Sequence, residues 1–232
     1  MNSIREAEAI FFDLDDTLYD HLMPFHMALK HCNLNLPAAK LEEVFKRVRY
    51  YSDVLWKVYT KGEISLDLLR IERLRYAFNE FGILLSKEQA KAIQERYVKE
   101  QQQIKAFPEI LSFIQNLMKC KPIVGILTNG PADHQMNKIK ILQIDQIIPK
   151  ERIFISDSIG LAKPDKRVFQ YIQKQMNIEP NKCCYIGDTW KNDIVPSIEA
   201  GWQCIWFNHR KRKPESHHIP HEIIMNYHDI FI

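Results

Sequence analysis

The sequence predicts an α/β protein, in which a parallel sheet carries an all-helical segment inserted after its first strand. From residue 107 onward, short apolar runs alternate with helical segments of about ten residues, a pattern typical of right-handed βαβ crossovers. Residues 21–103 are instead rich in Lys, Glu, Leu and Arg, with apolar side chains at helical spacing and no strand pattern.

The individual elements follow from local signals. The first strand is predicted at Ala9–Phe12, a short apolar run that ends in acidic residues. In the helical segment we expect about four helices, one opening with a capping box at Ser86–Gln89 and others ending near Gly62 and Gly82. The later part is predicted to contain strands at Ile123–Thr128, Ile153–Ile155, Cys183–Ile186 and Cys204–Phe207, with helices at Ala132–Ile141, Asp165–Met176 and Asn192–Ala200.

Length and composition restrict the class of protein. The 232 residues suffice for one large α/β domain or two modest ones, and we place a core domain at 1–19 and 105–232 and a helical domain at 20–104. A hydrophobic content of 46% excludes a disordered chain, and seven glycines exclude a collagen-like or glycine-loop protein. The net charge of +3 is too even to predict a nucleic-acid polymer or a membrane as partner.

The cysteines and the N-terminal residues give an indication of the cellular compartment. Five cysteines, an odd number without CxxC spacing, indicate reduced thiols. The first residues show no signal-peptide pattern, and no apolar stretch approaches the ~20 residues of a membrane helix. We therefore expect a cytoplasmic protein, as a monomer or weak homodimer.

Polar side chains follow three of the predicted strands. They lie in Asp13-Leu-Asp15-Asp-Thr17, in Thr128-Asn129-Gly130 and in Gly187-Asp188-Thr189, while Lys163 lies in a loop before Pro164. The carboxyl ends of parallel strands meet at one edge of a sheet, so these side chains are expected to form one site. Several carboxylates close together repel, and Mg²⁺ is the natural ion to neutralise them.

These four motifs, DLDDT, ILTNG, a Lys before Pro and GDTWKND, resemble those of the haloacid dehalogenase-like (HAD) hydrolase superfamily of aspartate-nucleophile phosphatases. The resemblance covers residues 9–19 and 122–208. It implies a Rossmann-like core and Mg²⁺-dependent phosphomonoester hydrolysis. In this chemistry, a covalent aspartyl-phosphate divides one hard hydrolysis into two easier steps.

The resemblance also implies roles for the acidic residues and the lysine. Asp13 takes the position of the nucleophile, and Asp15 that of the general acid and base. The metal ligands would be the carboxylates of Asp13 and Asp188 and the backbone carbonyl of Asp15. Lys163 would balance the charge of the nucleophile and the phosphate.

Five further residues receive supporting roles from the same resemblance. Thr128, Asn129 and Gly130 match the part of the site that binds the substrate phosphate together with Lys163. Asp193 matches a carboxylate that orients Lys163 or a metal-bound water. Thr17 is expected either to contact the nucleophile or to serve only as a turn residue.

Three other features have plainer interpretations. Asp16 is interpreted as a turn residue, with a direct role in the site as the alternative. Trp190 is interpreted as a packing residue at the start of a helix, with a place in the lining of the site as the alternative. The basic run His209–Lys213 is interpreted as a solvated loop, with a phosphate or polyanion contact as the alternative.

The helical segment lies where the superfamily carries its helical C1 cap, with hinges at Leu18–His21 and Ile104–Pro108. A cap excludes water and suits small phosphorylated metabolites. The chain resembles the pyrimidine 5′-nucleotidase branch most, through Leu55-Trp56, Tyr59 and the ILTNG motif. Trp56 and Tyr59, three residues apart on a helix, could stack on a base, or could equally be packing residues of the cap.

Four rival functions remain open. A phosphosugar or phosphoglycolate phosphatase would use the same site, whereas a haloacid dehalogenase would leave Asp15 and Asp188 without a purpose. A phosphoacceptor receiver module is about half as long and has no helical insertion. A non-catalytic interaction protein on the same fold would not need every catalytic position filled.

Overall fold

The computed structural model describes residues 2–229, which form two compact units. One unit is His21–Ile104, and the other consists of the residues on either side of it in the sequence. The two units are described separately below.

The larger unit is built on one parallel sheet, which confirms the predicted α/β fold. Within residues 2–229 its six strands are β1 (Ala9–Phe12), β2 (Ile123–Thr128), β3 (Ile153–Ile155), β4 (Cys183–Gly187), β5 (Gln203–Phe207) and β6 (Glu222–Ile224). Their order across the sheet is β3-β2-β1-β4-β5-β6, and every neighbouring pair is parallel. The first five agree with the predicted strands to within one residue at each end, while β6 was not predicted.

In the described part of the larger unit, one short helix precedes β1 and the other helices lie between successive strands. They are α1 (Asn2–Glu6), α6 (Ile110–Cys120), α7 (Ala132–Ile141), α8 (Ser156–Ile159), α9 (Arg167–Met176) and α10 (Val195–Glu199). Helix α7 has the predicted bounds, and α9 begins two residues later than predicted. Helix α6 was missed, although Ile110, Ile114 and Leu117 are buried at helical spacing in the sequence.

Strand β1 lies in the middle of the sheet and is completely buried. Its Phe11 ring packs against Phe154 and Trp202, with ring centroids 5.9 and 5.7 Å away. Just beyond the strand, the backbone N–H of Asp13 donates to the carbonyl of Ile186 at 2.9 Å. The chain therefore leaves β1 beside the end of β4, and this places the first motif next to the fourth.

The segment after β4 is not the continuous helix predicted at Asn192–Ala200. It forms a π-helical turn at Trp190–Ile194, followed by α10. The backbone N–H groups of Asp193 and Ile194 both donate hydrogen bonds to the carbonyl of Thr189, at 2.8 and 3.4 Å. The second of these bonds makes the turn wider than that of an α-helix. Pro196, which has no N–H, lies in the first turn of α10. Single π-helical turns are frequent at functional sites.

The smaller unit is all-helical, as the sequence predicts. Its helices are α2 (Met23–His31), α3 (Ala38–Tyr59), α4 (Leu66–Asn79) and α5 (Lys87–Gln101). Phe25 packs against Phe45, Phe78 and Tyr97 in the buried core of this unit. The capping box is confirmed, because the Ser86 hydroxyl accepts the N–H of Gln89, whose side chain in turn accepts the N–H of Ser86.

Within residues 2–229, no helix combines the length and the apolar character that a membrane span requires.

Candidate active site

The predicted nucleophile and lysine are in direct contact. Lys163 Nζ donates to Asp13 Oδ1 at 2.7 Å and to Asp193 Oδ1 at 2.6 Å. It also donates to the hydroxyl of Tyr185 at 2.8 Å, and that hydroxyl donates to the carbonyl of Leu127. All three ammonium hydrogens thus have a partner, and the buried charge of Lys163 lies between two carboxylates.

Burial has the largest effect on both groups, but the outcome differs between them. Together with the charges of Asp193 and Asp15, burial outweighs the opposing charge of Lys163 and raises the pKa of Asp13 to about 7. Burial alone would lower the pKa of Lys163, but Asp13 and Asp193 outweigh it and hold the pKa above its usual value. Lys163 therefore keeps its proton, while Asp13 requires more positive charge to stay ionised at neutral pH.

Three carboxylates lie close enough to share a cation. Oxygens of Asp13, Asp188 and Asp193 lie within 4.8 Å of one another, and all three side chains are buried. Burial also raises the pKa of Asp188 well above its usual value, and the charges of Asp16, Asp193 and Asp13 add to the effect. A set of hard oxygen donors that resists ionisation without a counter-charge fits Mg²⁺.

Asp193 is held by the protein through both of its carboxylate oxygens. Its Oδ1 accepts from Lys163 Nζ, and its Oδ2 accepts the backbone N–H of Thr189 at 2.8 Å. These contacts join Asp193 to the lysine and to the chain just after β4, which fits the expected role of a carboxylate that orients Lys163.

The backbone at Gly187 makes this position of Asp193 possible. A Cβ atom at Gly187 would lie 2.6 Å from Cβ and Cγ of Asp193. Only glycine leaves room for the Asp193 side chain beside the end of β4.

Asp15 is held by donors that sequence reasoning did not identify. Lys138 Nζ donates to both Asp15 oxygens, at 2.7 and 2.8 Å. The Tyr19 hydroxyl donates to Oδ1 at 2.5 Å, and Gln135 Nε2 donates to Oδ2 at 3.4 Å. Gln135 and Lys138 lie three residues apart on α7, a spacing that places both on one helix face, but nothing in the sequence shows which strand that face meets.

The residues expected to bind the phosphate have several partners in the protein. Thr128 Oγ1 accepts a 2.6 Å hydrogen bond from Gln135. The side-chain amide of Asn129 makes two hydrogen bonds to the backbone of Lys163. Nδ2 donates to the Lys163 carbonyl at 2.7 Å, and Oδ1 accepts the Lys163 N–H at 3.1 Å. The N–H of Gly130 donates to Ser156 Oγ at 3.0 Å. The Asn129 side chain therefore positions the lysine loop, and the expected role of Asn129 as a phosphate donor stays a prediction.

Thr17 and Trp190 were each given two interpretations. The Thr17 hydroxyl donates to Asp13 Oδ2 at 3.3 Å, so it does contact the predicted nucleophile. The Trp190 ring is buried against Trp206, with centroids 4.8 Å apart, and its Nε1 donates to Ser216. Trp190 is a packing residue, as expected.

The basic run is not the solvated loop that was predicted. Lys211 and Lys213 are exposed, as a solvated loop requires. Arg210, however, forms a bidentate ion pair with the buried Asp16, with both N···O distances at 2.5 Å, and Arg212 donates to Asp188. Burial would raise the pKa of Asp16, yet the hydrogen bonds from Arg210 and His209 hold it well below its usual value.

Asp16 is consequently more than a turn residue. Its backbone does adopt the left-handed conformation of a turn, with φ of 66°. Its carboxylate also anchors the chain after β5 to the first motif, through an ion pair that spans 194 positions.

The two aromatic residues proposed to select substrate lie on α3 in the smaller unit. Trp56 is 40% exposed, Tyr59 is half-buried, and their ring centroids are 5.1 Å apart. The Trp56 ring is therefore not part of the buried core of that unit.

Comparison with known proteins agrees with the fold and the motifs. Residues 7–201 match the family described as haloacid dehalogenase-like hydrolase. The chain is 27% identical to pyrimidine 5′-nucleotidase YjjG of Escherichia coli strain K12 over 209 residues, 89% of this chain and 88% of that protein. It is 26% identical to glyceraldehyde 3-phosphate phosphatase of Pyrococcus furiosus over 211 residues, covering 90% and 83% of the two chains.

A solved structure shows the same fold at lower identity. The crystal structure of the HAD-hydrolase YfnB of Bacillus subtilis, bound to magnesium, has a TM-score of 0.70, with 20% identity and 96% of each chain covered. With the family match extending over most of the sequence, this protein belongs to the haloacid dehalogenase-like hydrolases.

Proposed function

We propose that the protein is a Mg²⁺-dependent phosphomonoester hydrolase that acts through an aspartyl-phosphate on Asp13. The observation that carries this proposal is the contact of Lys163 with Asp13 at 2.7 Å, inside a cluster that also holds Asp188 and Asp193. A buried carboxylate with an ammonium at one oxygen and a cation site beside it suits attack on a dianionic phosphate.

In the proposed mechanism, the reaction proceeds in two steps. An Asp13 oxygen attacks phosphorus, the bond to the ester oxygen breaks, and Asp15 gives that oxygen a proton. A water molecule then loses a proton to Asp15 and attacks phosphorus, which releases phosphate and restores Asp13. Lys163 stays protonated throughout and offsets the negative charge of Asp13 and the phosphate.

Mg²⁺, held by the carboxylates of Asp13 and Asp188 and the backbone carbonyl of Asp15, would supply positive charge to the phosphate oxygens. The burial of both carboxylates supports this assignment, since each needs a counter-charge to ionise. The crystal structure of YfnB, which has the same fold, is bound to magnesium.

For the substrate, we propose a small phosphorylated metabolite, and within that class a nucleoside 5′-monophosphate. The exposed Trp56 ring beside Tyr59 is a surface of the kind on which bases stack. The similarity to pyrimidine 5′-nucleotidase YjjG supports the same choice. The similarity to glyceraldehyde 3-phosphate phosphatase, at nearly equal identity, makes a phosphosugar the alternative.

The first experiment tests the reaction. Wild type should hydrolyse p-nitrophenyl phosphate with Mg²⁺ and lose this activity in EDTA. Asp13→Asn and Asp15→Asn should each reduce turnover by orders of magnitude with unchanged circular dichroism, whereas Asp145→Asn, an exposed carboxyl control, should not. Asp188→Ala should raise the Mg²⁺ concentration required.

Two further measurements make the test specific. Acid-quenched wild type should carry label from a ³²P-phosphate ester on Asp13, and Asp13→Asn should carry none. Full activity in EDTA, with halide released from 2-haloacids, would favour a dehalogenase. Retained turnover in Asp13→Asn would exclude the covalent mechanism.

A panel of nucleotides and sugar phosphates tests the substrate. Pyrimidine 5′-monophosphates should give the highest kcat/KM. Equal or better kcat/KM with sugar phosphates would overturn the nucleotide assignment and leave the hydrolase mechanism untouched.

A further inference from the structure

We propose that Lys138 is a positioning residue for the reaction, which together with Gln135 holds the Asp15 carboxylate and the Thr128 hydroxyl in their working orientations. This inference rests on the proposed function, because it assigns Asp15 the transfer of a proton to the leaving group. Neither α7 residue belongs to the four sequence motifs.

The burial of Lys138 is the first observation. Its side chain is 4% exposed, and its ammonium contacts the two oxygens of Asp15 almost equally, at 2.7 and 2.8 Å. A third hydrogen bond of 2.7 Å goes to Gln135 Oε1. A lysine is rarely buried unless it is paired, and these contacts fix the plane of the Asp15 carboxyl group.

The second observation is that Gln135 can be oriented in only one way. Its Oε1 accepts from Lys138, so its Nε2 faces Thr128 and donates to Oγ1 at 2.6 Å. A hydroxyl has a single hydrogen and two lone pairs. Because one lone pair of Thr128 is occupied by Gln135, its O–H hydrogen is left to donate, which is the form a phosphate oxygen needs.

Gly130 leaves room for the Gln135 side chain. A Cβ atom there would lie 3.1 Å from Cγ and Cδ of Gln135, and Gly130 has a φ of 142°. The second motif therefore supplies both Thr128 and the space for the side chain that orients it. The α7 pair connects Asp15 of the first motif, which lies 123 positions before Lys138, to Thr128 of the second motif.

The function of this arrangement follows from the chemistry of Asp15. That carboxyl group must reach the ester oxygen in one step and a water in the next, without drifting from Asp13 in between. Misplacement by about 1 Å can cost two orders of magnitude in rate. Lys138 and Tyr19, which donates at 2.5 Å, restrain the side chain from outside the reacting atoms.

The test compares leaving groups. With an alkyl phosphate, phosphoryl transfer needs the proton from Asp15, whereas p-nitrophenolate leaves without one. Since kcat/KM reports the steps through phosphoryl transfer, Lys138→Met should lower kcat/KM for an alkyl phosphate about 100-fold. The kcat/KM for p-nitrophenyl phosphate should stay within about threefold, with a burst of nitrophenolate before a slower steady state.

Two matched variants complete the design. Lys140→Met, an exposed lysine on the same helix, should leave both kcat/KM values unchanged, and Lys138→Arg should recover part of the loss with the alkyl phosphate. If Lys138→Met does not fold, Gln135→Leu should show a smaller loss with the same preference for the better leaving group.

The outcomes separate this inference from the proposed function. Equal losses with both substrates, or no loss with either, in a folded variant would overturn the role of Lys138 while wild type remains a phosphatase. A wild type with no phosphatase activity and no labelled Asp13 would overturn the proposed function, and this inference with it.

Discussion

Arg212 Nη1 donates a 2.8 Å hydrogen bond to Oδ2 of Asp188, one of the three buried carboxylates of the acidic cluster. The loop that delivers Arg212 is fixed by Asn208, whose side chain accepts the backbone N–H of Arg212 at 2.7 Å and donates to its carbonyl at 2.9 Å. The positively charged guanidinium of Arg212 therefore lies next to a proposed metal ligand.

Removal of this guanidinium should strengthen Mg²⁺ binding. A unit positive charge beside Asp188 opposes a second cation there, so Arg212→Met should lower the Mg²⁺ dissociation constant several-fold, measured by titration calorimetry. Lys211→Met, which removes an exposed charge from the same loop, is the control. Weaker binding in Arg212→Met would show instead that the arginine orients Asp188 as a ligand.

Gly187→Ala should damage the site through a steric clash. The new Cβ would lie 2.6 Å from Asp193, so this side chain must leave its contacts with Lys163 and the N–H of Thr189. We expect a loss of about 1–3 kcal/mol of unfolding free energy in urea together with a large drop in kcat.

Gly201→Ala is the control for this variant. Gly201 precedes β5, at the opposite edge of the sheet, and has a φ of 82°. Alanine there should cost about 1–2 kcal/mol through backbone strain, with kcat unchanged. Equal kcat in the two variants would show that the position of Asp193 does not matter for turnover.

Local patterns were enough to predict the strands of the core and the positions of the motifs. Apolar runs that end in polar residues mark β1, β2 and β4 regardless of what surrounds them. The short β6 carries no such signal in its three residues, Glu222–Ile224. A hydrophobic pattern identifies a strand or helix only when that element is long enough for the pattern to repeat.

The supporting contacts could not be predicted in this way. Lys138 contacts Asp15 only because the fold brings α7 next to the chain that follows β1, and a lysine on a helix surface is usually solvated. Arg210 and Arg212 lie in a charged run, which by composition indicates solvent, but the turn at Asn208 directs them inward. Their partners lie far away in the sequence, so the fold had to be known first.

Cysteine alkylation should distinguish the buried thiols from the accessible one. Burial raises the pKa of Cys183 and of Cys204 to about 12, and burial also raises the pKa of Cys184 well above its usual value. Cys120 is exposed. Iodoacetamide at pH 8 should therefore modify Cys120 in the native protein, with half-buried Cys32 slower, as peptide mapping by mass spectrometry would show.

Unfolding provides the control for this experiment. In urea, all five cysteines should react at comparable rates, since none forms a disulfide in the structure. Fast labelling of Cys184 in the native protein would contradict the packing of β4 beside β1.

The metal-free protein should become less stable as the pH rises through neutrality. Folding raises the pKa of Asp13 from 3.8 to about 7, so the folded state binds a proton that the unfolded state releases. The resulting stabilisation is complete below about pH 4 and is lost as the pH passes about 7. Asp188, whose pKa is also raised, contributes with the same sign.

Thermal unfolding in EDTA measures this effect. The Tm of wild type should fall between pH 5.5 and pH 8, and Asp13→Asn should show a smaller slope because its amide does not titrate. Asp16 contributes nothing in this window, since its lowered pKa places its titration below that of an ordinary carboxyl group. A Tm that rises with pH in EDTA would mean that Asp13 ionises freely in the folded protein, with Lys163 alone offsetting its charge.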